Sequence, residues 1–241
     1  MCKIKISDHI VNFYIAHLHA EYDKNSDDYM THRIIQAYDT AQFLENTRGD
    51  CSLQILAGDL NIEPESLAYR LLLSTSGMKD SYMQIPSPSY ATNEYVNNSY
   101  TSPAVAALSS KEKEGIRIDY VLYRNGRDFN WEVEKYELPL LEKIPELNLS
   151  YSDHEAVHVK IKIKEQSEGV PLNNDKDLTA KNIKDLKESI LTCNKSLKIL
   201  ESHRKSYSMM AIGLIVILIN VVEISPGYGF ATIYMLVKFL L

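Results

Sequence analysis

Three short segments carry residue types able to act together on a phosphate ester. Gly58, Asp59, Leu60 and Asn61 directly follow the apolar run 53–57, so a carboxylate and a side-chain amide are presented at the carboxyl end of a strand, where α/β sheets place their sites. One charged and one neutral oxygen two residues apart suit a hard cation such as Mg2+. The same pair also suits a turn or the cap of a following helix. Ser152, Asp153 and His154 precede the alternating strand 157–163, and a histidine beside an activated water can take its proton near neutral pH. His17 ends the first run of strand-forming residues, with His19 two positions on and on the same face if the extended chain continues. Arg117, Ile118, Asp119, Tyr120 and Val121 place Asp119 inside a strand, where a carboxylate needs a partner to offset its burial, Arg117 being the plain candidate.

The elements that must hold these groups alternate between strand and helix. Residues 3–18 read as one or two strands. Met30, Ile34, Ala37, Ala41 and Leu44 are spaced by fours and threes, which predicts a helix over 27–46 with one buried face. Pro64 and Glu65 suit the first turn of a further helix bearing Leu67, Leu71 and Leu72. Residues 84–114, rich in Ser, Pro, Asn and Tyr, form a long loop and a candidate substrate-facing region, and 116–123 and 157–163 alternate as strands. This order predicts an α/β layered domain over 1–164 and a linker over 165–177.

Beyond the linker, Ile183, Leu186, Ile190, Cys193, Leu197 and Leu200 keep the spacing of a coiled-coil seam, or of a simple amphipathic helix, over 178–206. Residues 207–222 and 228–241 are two apolar runs separated by Glu223, Ser225, Pro226 and Gly227. They predict a transmembrane helical hairpin over 207–241, against the alternative of a buried helical hairpin. Arg204 and Lys205 flank the first run and place the preceding domain on the cytosolic side.

The bulk composition narrows the partners. A formal charge of −6 over 241 residues disfavours nucleic acid, whose binders need a basic face. Cys2, Cys51 and Cys193 give neither a disulfide framework nor a zinc pattern, in keeping with a reducing compartment.

Taken in order, strand-borne His17, then Gly58-Asp59-Leu60-Asn61, then Arg117-Ile118-Asp119-Tyr120-Val121, then Ser152-Asp153-His154 resembles the endonuclease/exonuclease/phosphatase superfamily, whose fold is a four-layer α/β sandwich. Within it, Ala16-His17-Leu18-His19-Ala20-Glu21-Tyr22 and His32-Arg33-Ile34-Ile35-Gln36-Ala37-Tyr38 are similar to the neutral sphingomyelinase branch, whose small animal enzymes also end in a pair of membrane segments. The resemblance implies a Mg2+-dependent phosphodiesterase, multi-pass in an internal membrane such as the endoplasmic reticulum, that converts sphingomyelin to ceramide and phosphocholine. It makes His154 the general base, oriented by Asp119. It gives Asp153 a part in binding the metal or its water, and His17 a part in steadying charge on phosphate or assisting the leaving oxygen. Asp59 and Asn61 hold phosphate and water in line, Asp59 also touching metal. Tyr90, Tyr95 and Tyr100 are candidates to face the choline cation.

Members of that branch carry an Asn and a metal-binding Glu upstream of the segment that matches His17. Here only Asp8 is acidic before His17, so the chain reads as amino-terminally truncated, a partial sandwich with an exposed sheet edge or apolar face. Two other readings stand beside this one. One is a related phosphodiesterase or phosphatase acting on a lysophospholipid or an inositol phosphate. The other is a catalytically dead, membrane-tethered protein whose seam serves self-association or partner binding.

Overall fold

The computed structural model describes residues 1–23, 27–85, 91–103, 115–126, 129–163 and 175–224, the last with side chains over 179–220. The first strands form a hairpin: β1 (Cys2–Ile6) and β2 (His9–Ile15) pair antiparallel around Ser7 and Asp8. Helix α1 (Met30–Asn46) then crosses over, so that β3 (Leu53–Asp59) lies parallel to β2. Helix α2 (Leu67–Ser76) leads to the two-residue β4 (Lys79–Asp80), and β5 (Asp119–Asn125) inserts antiparallel between β3 and β4. The sheet order is β1-β2-β3-β5-β4. A second, two-stranded antiparallel sheet is made by β6 (Trp131–Glu137) and β7 (His158–Ile163).

Alternation sorts the side chains of the large sheet onto two faces. Val11, Leu53, Ile55 and Tyr123 point one way and pack against Trp131, Val133, Val159 and Ile161 of the small sheet. On the opposite face, Asn12 donates to the carbonyls of Thr47 and Arg48 at 3.1 Å each, and Gln54 donates to the Leu44 carbonyl at 2.9 Å, binding the end of α1. Ile34, Ala37, Ala41 and Leu44 are the buried stripe of α1, as their spacing predicts. Among the described residues the layers are therefore helix, large sheet and small sheet, an α/β architecture. β1 and the two-residue β4 are the edges of the large sheet, Ile4 and Ile6 of β1 being exposed.

Helix α2 and strand β6 differ from expectation. Helix α2 begins at Leu67 because Ser66 is its N-cap, accepting from the Tyr69 amide at 3.4 Å; Pro64 and Glu65 stay outside, Glu65 with a positive φ of 66°. Strand β6 was not anticipated, although its Trp131-Glu132-Val133 alternation is present in the sequence.

The final helix, α3 (Asp175–Ile224), follows. The chain divides into one unit over Met1–Ile190 and another over Leu191–Leu241. In the first, the opening turns of α3 meet α2 through polar groups: Arg70 pairs with Asp185 at 3.2 Å and Glu188 at 2.6 Å, and Thr75 donates to Asn182 at 3.1 Å. Asp185 and Ser189 are buried there, while Ile183 and Ile190 of the expected seam face solvent. In the second unit Leu197 and Leu200 are exposed, as are the large apolar side chains from Tyr207 to Ile217 and Ile219, Leu218 being half-buried. Among the described residues no helix is long and apolar enough to cross a membrane. The run 228–241 and the Pro226-Gly227 turn lie outside the described residues, as do residues 165–174 of the linker expected over 165–177, whose last three residues belong to α3.

Candidate functional site

The site forms where β3 ends beside the start of β5. β3 and the residues after β2 stay in register beyond the strand: Ala16 donates to Ala57 and Leu18 to Asp59, each at 3.2 Å. This close approach requires glycine at 58. Its φ is 142°, and a Cβ there would lie 2.0 Å from the Ala16 carbonyl oxygen. The extension brings His17 to Asp59, with Nε2 3.4 Å from Oδ2 and the imidazole itself largely in solvent.

Asp59 is held from its own side by Asn61, whose backbone amide donates to Oδ1 at 2.8 Å and whose Nδ2 donates to Oδ2 at 3.1 Å. The same Nδ2 reaches the Leu18 carbonyl at 3.0 Å. Asn61 has a positive φ of 49°, which asparagine tolerates better than most residues. The turn reading and the site reading of this segment are thus both met: the turn fixes the carboxylate. His19 goes elsewhere, stacking on Tyr29 with ring centroids 4.1 Å apart.

Asp119 is the cross-strand partner of Asp59. Two carboxylates directly opposite repel unless positive charge lies between them. His154 supplies a partner: its Nδ1 is 2.8 Å from Asp119 Oδ2. With Asp119 ionised, Nδ1 carries the proton and donates, leaving Nε2 as the basic nitrogen. The bond to Asp119 raises the His154 pKa above its usual value, against the opposing effect of burial, with smaller help from Asp59 and Asp153. The Asp59 pKa is raised mainly by burial; the Asn61 amide lowers it, the Asp119 charge raises it, and the two imidazoles lower it.

Asp59, Asp119 and His154 each offer a ligand atom within 4.8 Å of the others, the one such group among the described residues. Two carboxylates fit a hard divalent cation, which would offset their repulsion; imidazole is a poor ligand for Mg2+, so His154 stays available as a base. Asp153 is exposed and accepts from Ser152 Oγ at 3.1 Å; it is not brought into this group. A cleft of about 290 Å³ lined by Leu140, Tyr151, Ser152, His154, Glu155 and Ala156 opens beside the imidazole.

Arg117 does not pair with Asp119. It lies fully buried against Asp80, 2.8 Å away, between the rings of Tyr82 and Tyr120, and Tyr69 donates to Asp80 at 2.8 Å. Nothing in the sequence near Arg117 marks Asp80 as its partner.

The described part of the expected long loop, residues 91–103, is a strap. Asn98 donates to the Ser152 carbonyl at 2.8 Å and to buried Glu155 at 2.9 Å, and Ser99 and Ser150 exchange hydrogen bonds at 3.0 and 2.8 Å. Tyr100 is exposed and Tyr95 half-buried, and Tyr90 lies outside the described residues. Thr92, Asn98 and Glu155 were missed by sequence reasoning, and their only signal is a run of small polar residues that any loop shares.

The two stretches that carried the specific resemblance also touch. The His19 amide donates to Gln36 at 2.9 Å, and buried Arg33 donates to the Ala20 carbonyl at 3.2 Å and pairs with Glu21 and Asp27.

Residues 6–154 match the Endonuclease/Exonuclease/phosphatase family. A Drosophila melanogaster protein described as a candidate neutral sphingomyelinase is 36% identical, with all of this chain and 64% of that protein covered. Human sphingomyelin phosphodiesterase 2 is 34% identical over 64% of this chain and 36% of its own length, and the inositol phosphosphingolipids phospholipase C of Schizosaccharomyces pombe is 28% identical over 66% and 41%. The chain thus spans less than two thirds of the length of each of these relatives. Among solved structures, D. rerio TDP2 complexed with a single-strand DNA product is similar in fold, with a TM-score of 0.50 and 16% identity over 66% of this chain and 59% of that one.

Proposed function

We propose, because this chain belongs to the endonuclease/exonuclease/phosphatase family, that its strand-end group serves the hydrolysis of sphingomyelin to ceramide and phosphocholine. The observation that carries this reading is the Asp119–His154 bond beside Asp59, in a chain similar along its whole length to a candidate neutral sphingomyelinase. His154 Nε2 takes a proton from the attacking water while Asp119 holds the ring and offsets the imidazolium that forms. Asn61 fixes the Asp59 carboxylate toward phosphate and water. His17, exposed at the rim, is placed to assist the leaving oxygen. Asp59 and Asp119 would hold a Mg2+, which when bound would withdraw charge from the phosphate oxygens.

The substrate's place in a bilayer suits the far end of the chain. A helix apolar on every side is stable when surrounded by protein or by lipid, and most of the large apolar side chains between Tyr207 and Ile219 are exposed among the described residues. Residues 207–241 are therefore an anchor in an internal membrane, such as the endoplasmic reticulum, with the catalytic unit cytosolic. The exposed seam from Ile183 to Leu200 is left for self-association.

A second substrate is favoured by the S. pombe relative, whose name indicates an inositol-bearing sphingolipid. Both substrates can be tested in a chimera in which residues 1–163 replace the matching part of the Drosophila protein. Mg2+-dependent release of phosphocholine from sphingomyelin micelles, lost in His154→Ala, is the expected result. Release of inositol phosphate alone would move the assignment to the second substrate, and no release of either would end it.

A further inference from the structure

We propose that Thr92 is the positioning residue of the Asp119–His154 pair. It is fully buried, and its three polar main-chain and side-chain groups reach both segments that carry the pair. Its Oγ1 accepts the backbone amides of Ile118 and Asp119, each at 3.1 Å. Its own amide donates to the Ile116 carbonyl at 2.8 Å, and its carbonyl accepts the amide of Glu155, the residue after His154, at 2.7 Å. Asn93 continues the tie as a bridge partner of both Ile116 and His154.

The geometry explains why a hydroxyl is needed here. β5 begins at Asp119, so the amides of Ile118 and Asp119 lie where the strand starts, and Thr92 is their acceptor. A hydroxyl has two lone pairs, and here both are taken by adjacent amides, a task that neither a methyl nor a donor-only group can perform. The β-branch also restricts χ1 and so limits where the oxygen can point. From the same residue, 2.7 Å of hydrogen bond leads to the loop of His154. The separation of the two catalytic side chains is thereby set by one buried residue that touches neither of them. Asn98, bonded to Ser152 and Glu155, keeps the far side of that loop in place.

The proposal rests on Asp119 and His154 being the working pair, but it can be tested without turnover. Thr92→Val keeps the shape and removes the acceptor; Thr92→Ser keeps the acceptor. By NMR on the full chain, amide exchange of Ile118 and Asp119 should accelerate about fivefold or more in Thr92→Val, the effect of losing one ordinary hydrogen bond, and change little in Thr92→Ser. The downfield proton on His154 Nδ1, a signature of its bond to Asp119, should persist in the wild type and Thr92→Ser and vanish into solvent exchange in Thr92→Val. The ring signals of His158, which pairs with Glu137, should stay put. An unchanged His154 proton in Thr92→Val would overturn the proposal, as would equal losses in both variants. Should Thr92→Val not fold, native-state exchange of the unaltered chain decides: the amides of Ile118, Asp119 and Glu155 open together if Thr92 clamps them, and separately if it does not. A clamp found without phosphodiester hydrolysis would refute the proposed function and leave the clamp standing.

Discussion

Asp119 and His154, 35 residues apart in the chain, meet through a 2.8 Å hydrogen bond beside the cleft that His154 helps to line. That bond raises the His154 pKa, so the imidazolium is favoured by the fold. The associated stability is fully present below the unfolded value of about 6.5 and is lost as pH rises through the higher folded value. In an NMR titration of the metal-free chain, His154 should titrate above ordinary histidine, and Asp119→Asn should bring its midpoint down. An unchanged midpoint would show that the bond contributes nothing.

Reactivity has the opposite dependence. The base must be neutral, so turnover should climb with pH across the raised His154 midpoint. Removing His154 as His154→Ala should cost about 10²–10⁴-fold in rate with substrate binding kept. A loss of less than tenfold would assign the base elsewhere.

Millimolar Mg2+ should lower the His154 midpoint, since a cation between Asp59 and Asp119 opposes a second positive charge. Asp59→Asn should abolish this response while keeping the turn made with Asn61. A Mg2+ response that survives Asp59→Asn would move the metal to other residues.

Gly58→Ala would drive a methyl into the Ala16 carbonyl, where no flexible side chain can yield. Urea unfolding should show a loss of about 1–3 kcal/mol or more. The chemical shift of His17 should change with it, because the same contact brings that ring to Asp59.

Arg117 and Asp80 have side chains 1% and 2% exposed. Replacing Arg117 alone by Met should cost about 3–5 kcal/mol, because it leaves a buried carboxylate, and adding Asp80→Leu should recover part of that. Thermal melts of the single and double variants test this directly.

Patterns local in sequence were legible; partners distant in sequence were not. Asp59, Asn61 and His154 declared themselves by following or preceding apolar strands, and α1 by its spacing. Asp119 was recognisable as a buried carboxylate, but its choice of His154 over Arg117 was decided by Asp80, which only the sheet brings near. Asp153 has the right type and place in sequence, yet its carboxylate turns outward to Ser152. Thr92 could not be found by pattern, because its role consists wholly of bonds to amides and carbonyls that every residue has.

The strap also sets a timetable for synthesis. Ser99 waits for Ser150, 51 residues later, before either hydroxyl finds its partner. At translation rates of about 5–20 residues per second, that interval lasts roughly 3–10 s. Once β5 has emerged within it, the strands of the large sheet can pair while the polar strap beside them has nothing to hold. The nascent chain therefore passes through a stage with its framework formed and its site open, a stage that a protease or a chaperone can reach and the finished protein conceals.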